Sequence, residues 1–151
     1  MQISNLKKHP EYIETLAKWH QQEWSYLNPG QTLQDRLQKM LAYLNDDFIP
    51  TTFVAEHENL LGSAALIECD MEDRKELSPW LASVYVKPEF RRRGVGETLV
   101  KHVMQQATEQ GIAQLYLYTP DQQRFYRKLG WEIEENLQYQ GCSVTIMSIL
   151  L

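Results

Sequence analysis

The spacing of apolar residues changes period along the chain. From 11 to 24, Ile13, Leu16, Ala17, His20 and Trp24 recur three and four apart, which predicts a helix with one buried stripe. Residues 32–45 predict a second helix, striped by Leu33, Leu37, Met40, Leu41 and Leu44, after a turn at Asn28-Pro29-Gly30. Past Pro50 the helical spacing stops. Residues 52–56 and 61–69 are rich in β-branched and small apolar side chains and flank His57-Glu58-Asn59, so they predict an antiparallel hairpin. Residues 80–86 predict a strand with Leu81, Ser83 and Tyr85 on one face and Ala82, Val84 and Val86 on the other.

A long helix over 94–110 follows, carrying Val95, Leu99, Val103 and Ala107 four apart and ending at Gly111. After a short strand at 115–118, Thr119-Pro120-Asp121-Gln122 reads as a helix start. Thr119 can cap, Pro120 suits the first helical position and Gln122 can close a capping box. That helix is expected to reach Leu129 and stop at Gly130, before strands at 131–138 and 142–150 joined around Gln140-Gly141. The order predicts one α/β (α+β) domain over 1–151, a mixed sheet covered by helices.

Composition narrows the class. The chain has 151 residues, and 15 Lys+Arg against 20 Asp+Glu give a net charge of −5. No repeat, low-complexity stretch or linker divides it, which supports a single domain. An acidic total argues against a phosphate-backbone binder, so no nucleic-acid partner is expected. No apolar run is long enough to span a bilayer and no apolar segment follows Met1, so a cytoplasmic protein without membrane contact is expected. Two cysteines, Cys69 and Cys142, make neither a disulfide framework nor a four-ligand site, and both are expected to be buried in strands. His9, His20, His57 and His102 show no ligand spacing, so no metal is expected. The four tryptophans, at 19, 24, 80 and 131, are expected in the core or a pocket wall.

Against the acidic total, residues 87–101 hold five basic and two acidic residues. They run from a strand end through Arg91-Arg92-Arg93-Gly94-Val95-Gly96-Glu97 into the long helix. The first N–H groups of a helix lack internal partners and carry partial positive charge, and glycines let the backbone approach an anion. A bare Gly-x-Gly fits a solvated loop as well. It is also not the dinucleotide fingerprint, because the third glycine position is Leu99.

Arg91-x-x-Gly94-x-Gly96 between a strand and an amphipathic helix resembles the acetyl-CoA pyrophosphate loop of the GNAT superfamily of N-acetyltransferases. Phe125-Tyr126-Arg127-Lys128-Leu129-Gly130-Trp131 resembles a second block of that family, at the expected separation. The resemblance covers essentially the whole chain. Thr119 stands where the commoner pattern has Asn, which is closer to the branch that includes the animal actin N-terminal acetyltransferase.

The resemblance implies a GNAT fold, splayed between the strands near 80–86 and 115–118. It also implies direct transfer of the acetyl group of acetyl-CoA to a primary amine, with no metal. Backbone amides from Arg91, Arg92, Arg93, Gly94, Val95, Gly96 and Glu97 would hold the diphosphate, with Val84 and Val86 pairing with the pantetheine arm. The Val84 N–H would meet the thioester oxygen as it gains charge. Tyr126 stands where the family places its general acid, since a phenol stays protonated at pH 7 and can donate as the thiolate leaves. It would also border the cofactor. Phe125, four residues from Leu129, is expected to be the core residue of the pair, with Tyr126 facing the strand gap.

The amine must lose a proton. The strand at 80–86 has no Asp or Glu, which leaves Glu68, Asp70, Asp73 and Glu76 as candidates, or a water held by Ser83, Tyr116 or Tyr118; Glu68 is preferred as the base. Residues 68–76 hold five acids and two bases, which favours a small cationic amine or a peptide α-amine as substrate. Two alternatives stand beside this reading: a non-catalytic acyl-CoA-binding module of the same fold, and a site for a different nucleotide. The last strand, with Val144, Ile146, Met147 and Ile149, could pair across a homodimer or lie covered inside the sheet.

Overall fold

The computed structural model describes all residues from Met1 to Leu151. Its elements are β1 (Gln2–Asn5), α1 (Ile13–Trp24), α2 (Leu33–Leu41), β2 (Thr51–His57), β3 (Asn59–Ile67), β4 (Trp80–Val86), α3 (Val95–Glu109), β5 (Gln114–Thr119), α4 (Gln123–Lys128), β6 (Glu132–Tyr139) and β7 (Cys142–Leu150). The seven strands form one sheet in the order β1-β2-β3-β4-β5-β7-β6. Every pairing is antiparallel except β4 with β5, which α3 joins as a crossover.

β1 lies outside the predicted elements: four residues of mixed polarity carry no periodicity to read. β7 lies between β5 and β6, so it is a covered strand, and the sheet edges are β1 and β6.

α3 packs on one face of the sheet. Its buried side chains, Val95, Leu99, Val100, Val103 and Ala107, join Phe53, Leu66, Leu81, Leu115 and Leu117 in the main core. A fully buried Leu or Val contributes about 2 kcal/mol. On the opposite face, α1 and α2 cover the outer strands through Ile13, Leu16, Met40 and Val54. A separate cluster of Tyr43, Trp80, Tyr139, Val144 and Ile146 lies beside them.

Three local expectations are corrected. α2 stops at Leu41, and its buried residues are Arg36 and Met40, whereas Leu41 is exposed. α4 starts only at Gln123: the Thr119 hydroxyl accepts from the Gln122 N–H at 3.0 Å, and Gln122 closes no capping box. Cys69 is exposed and Cys142 only partly buried.

The correction that shapes the site lies in β4. Ser63 pairs with Tyr85 but Ala65 pairs with Ala82, so β4 carries one extra residue across that step. The bulge holds Ser83 at φ +52°. It reverses the facing of everything after it. Leu81, Val84 and Val86 point to the α3 side, and Trp80, Ala82 and Tyr85 to the other. A uniform alternation had paired Leu81 with Tyr85.

Candidate active site

β4 and β5 meet at a single residue pair, Trp80 with Tyr116, whereas β5 pairs with β7 over six residues. Beyond that pair the two parallel strands part, which opens a gap toward the C-terminal end of β4. The Lys87 N–H bonds the Leu61 carbonyl of β3 at 2.8 Å. Because backbone groups alternate along a strand, Val86 turns its N–H and C=O the other way, into the gap. Val84, two residues earlier and past the bulge, does the same. Both side chains are partly buried against the α3 core.

The gap leads to the bend at 91–96. Arg92 and Gly94 both have left-handed backbones, at φ 65° and 85°, which gives the compact turn that anion-binding nests use. Gly94 stands at the N-cap of α3 without any side-chain cap. The first-turn N–H groups of α3, at Val95, Gly96 and Glu97, therefore lack a helical partner. Gly96 lies beside Val86 and Phe125, whose nearest atoms would be 3.5 and 3.6 Å from a β-carbon there.

The cations of the bend divide into two groups. Arg91 donates from Nε to the Val86 carbonyl at 2.7 Å, lies 3.6 Å from Glu23 of α1 and sits over the Tyr85 ring. It ties the bend to β4 and α1. Lys87 and Lys101 are paired with Glu89 and Glu97. Arg92 and Arg93 are exposed and have no carboxylate within ion-pair distance, so they are the free charges of the bend. These features fit a diphosphate: open N–H groups, two free guanidiniums and no unpaired acid within 91–97.

Tyr126 lies on the α3 side, 7% exposed, and packs edge-on to Phe125 and Trp131. Burial and the Asp121 charge push its hydroxyl pKa up, so it stays protonated at neutral pH. The expected roles in packing are reversed: Phe125 is only partly buried, at the mouth by Gly96, and Tyr126 is the core member of the pair.

The candidate bases separate clearly. Glu68 is exposed just past the end of β3. Asp70, two residues on, is partly buried. Burial pushes its carboxyl up to about 7, against the opposing charges of Lys39 and Arg36. Its charge in turn raises the hydroxyls of Tyr43, Tyr118 and Tyr139, all of which burial also raises. Tyr118 stacks edge-on to Trp80 and Tyr139. Asp70 thus borders the aromatic cluster of Tyr43, Trp80 and Tyr139. Its neighbours Glu72 and Arg74 are neutralised by Lys75 and Glu135. No cluster of three or more His, Cys, Asp or Glu is placed to hold a metal.

The site also holds a buried polar group that no motif marks. Arg36 of α2, 9% exposed, donates from Nη2 to the Ser83 hydroxyl at 2.9 Å and to His20 Nδ1 at 2.7 Å. Its one legible sign was its place between Leu33 and Met40, three and four residues away on the apolar stripe of α2.

A sequence model of the acetyltransferase (GNAT) domain matches residues 49–133. No curated protein sequence matches the chain. An aminoglycoside 6'-N-acetyltransferase complexed with coenzyme A has the same fold, with a TM-score of 0.78 and 16% identity over 99% of this chain and 97% of that one. The ribosomal-protein-alanine N-acetyltransferase from Brucella melitensis superimposes with a TM-score of 0.76 and 20% identity over 100% of both chains. A GNAT family acetyltransferase from Elizabethkingia anophelis with acetyl-CoA bound gives 0.56 and 17% identity, over 76% of this chain and 82% of that one. No helix of the protein is long and apolar enough to cross a membrane.

Proposed function

Since the chain belongs to the GNAT acetyltransferase family, we propose that it moves the acetyl group of acetyl-CoA directly to a primary amine, with both substrates bound together. The carrying observation is the β4–β5 gap, which runs from the Val84 backbone and the Val86 N–H, past the Val86 carbonyl that Arg91 holds, to the open N-terminus of α3.

Acetyl-CoA supplies an activated thioester; the rest is done by side chains and amides of this protein. The N–H groups from Arg91 to Glu97 hold the diphosphate, and Arg92 and Arg93 add charge. Val84 and Val86 offer strand-edge groups to the pantetheine arm. The Val84 N–H donates to the acetyl oxygen, where negative charge grows. Tyr126, held protonated by burial, gives its proton to the departing sulfur.

Asp70 replaces Glu68 as the proposed base. A general base works best with a pKa near the operating pH, and burial brings the Asp70 carboxyl to about 7 while Glu68 stays in solvent. An alkylamine with a pKa near that of Lys, about 10.4, arrives protonated and must hand that proton over. A carboxylate among tyrosines suits a cationic group, so the acceptor is a small cationic amine or a peptide α-amine. Aminoglycoside and ribosomal-protein-alanine acetyltransferases, two of the structural neighbours, act on amines of those two kinds. Thiol release from acetyl-CoA, followed across a panel of cationic, neutral and anionic amines, tests the reading. Cationic amines should be turned over fastest, and a protein that releases no thiol with any of them is not this enzyme.

A further inference from the structure

We propose that Arg36 is a positioning residue for the transfer step: from α2 it pins Ser83 in its left-handed turn and so aims the adjoining Val84 N–H into the β4–β5 gap. Only the kinetic half of the test below rests on the acetyltransferase reading.

Ser83 has φ +52°, a conformation disfavoured for a residue with a β-carbon by about 1–2 kcal/mol. Such a residue persists when its surroundings hold it there. Two hydrogen bonds do so. Arg36 Nη2 donates to the Ser83 hydroxyl at 2.9 Å, and the Ser63 hydroxyl donates to the Ser83 carbonyl at 3.1 Å. The two bonds are the ends of one chain. A guanidinium only donates, so His20 Nδ1, 2.7 Å from the same Arg36 nitrogen, must accept. The imidazole proton therefore sits on Nε2 and goes to the Ser63 oxygen at 2.9 Å. That leaves the Ser63 proton free for the Ser83 carbonyl. Arg36, His20, Ser63 and Ser83 close a ring in which each donor has one direction, and both ends converge on the bulge.

The cost of this arrangement points the same way. Arg36 is 9% exposed and has no carboxylate within ion-pair distance, and its Nε is buried without a partner. Burying such a charge costs several kcal/mol, and an apolar side chain of similar volume would serve packing as well or better. What an apolar residue cannot supply is the bond to Ser83. Burial and the Arg36 charge both keep His20 neutral, so the ring holds its directions at physiological pH.

The test uses the whole protein and measures Arg36→Met in two backgrounds. Glycine adopts a positive φ freely, so Ser83→Gly removes the need for the pin. With Ser83 present, Arg36→Met should lower kcat about tenfold or more, the equivalent of about 1.4 kcal/mol of lost aim. The KM for acetyl-CoA and the affinity for coenzyme A should stay within about threefold, since the diphosphate is held by the N–H groups at the start of α3, which Arg36 does not touch. In the Ser83→Gly background the same substitution should lower kcat less than threefold. If Arg36→Met does not fold, Ser63→Ala removes the other bond and should show the same dependence on background. The Val84 amide NMR resonance should shift in Arg36→Met when Ser83 is present and shift far less in the Ser83→Gly background. A loss of equal size in both backgrounds, or no loss, overturns the proposal. If the wild-type protein transfers no acetyl group, the acetyltransferase reading fails alone, and the Val84 resonance still decides whether Arg36 is the pin: an unmoved resonance overturns it.

Discussion

Gly62 of β3 lies so tightly against the carbonyl oxygen of Tyr85 that no β-carbon fits between them. The contact sits where the bulge of β4 presses toward β3. Gly62→Ala should destabilise the fold by about 2 kcal/mol, the range for overpacking a rigid site. For a chain of this length that is a fall in Tm of about 4–8 °C. The backbone of Val86 should also be displaced, so coenzyme A affinity should fall with Tm. Thermal melts with a coenzyme A titration check both.

Tyr126→Phe keeps the ring that packs on Phe125 and Trp131 and removes only the proton donor. General acids contribute about 10²–10⁴ in rate. The variant should lose about 10² in kcat with little change in KM for acetyl-CoA, and stability should hold. Steady-state thiol release over a pH series is the measurement, and an unchanged kcat removes Tyr126 from the mechanism.

Asp70→Asn should abolish the acidic limb of the kcat/KM profile. The wild-type rate should rise with pH through about 7, as the carboxyl ionises, while Glu68→Gln keeps that limb. Stability should shift in the opposite sense. The folded-state pKa is raised, so the neutral carboxyl stabilises the fold at low pH and that contribution is lost as pH rises through about 7. The Asn variant should therefore gain stability over wild type between about pH 4 and pH 7, and keep a constant lead above that. Paired melts at pH 5 and pH 8 read the difference.

These residues show where the sequence was legible. The stripe of α3 predicts the buried face of that helix, because a 3.6-residue period needs no knowledge of its partner. The bend at 91–96 is visible because three arginines and two glycines occupy one strand-to-helix turn. The facing of Val84 was not readable, since a bulge is a mismatch between two strands and only their register reveals it. Asp70 and Glu68 are equivalent as acids in a charged loop, and burial alone separates them. No motif marks Arg36, although it lies on the apolar stripe of α2. It became part of the site only when the bulge of β4 came under it.

Gly94 carries φ +85° with nothing within 4 Å of where a β-carbon would stand. The cost of Gly94→Ala is thus wholly conformational, about 1–2 kcal/mol. The chain can relieve it by rotating the bend, which turns its N–H groups off the diphosphate. Coenzyme A affinity should weaken about tenfold or more. Affinity for dephosphorylated pantetheine, which lacks the diphosphate, should stay the same, and calorimetry with both ligands separates the two effects.

Titrating coenzyme A into the purified wild-type protein by calorimetry tests the diphosphate-holding bend most directly. Saturable binding of one coenzyme A per chain is expected, weakening as salt rises, with far weaker binding of ATP. A protein that takes up no coenzyme A at millimolar concentration, or binds ATP equally well, contradicts it.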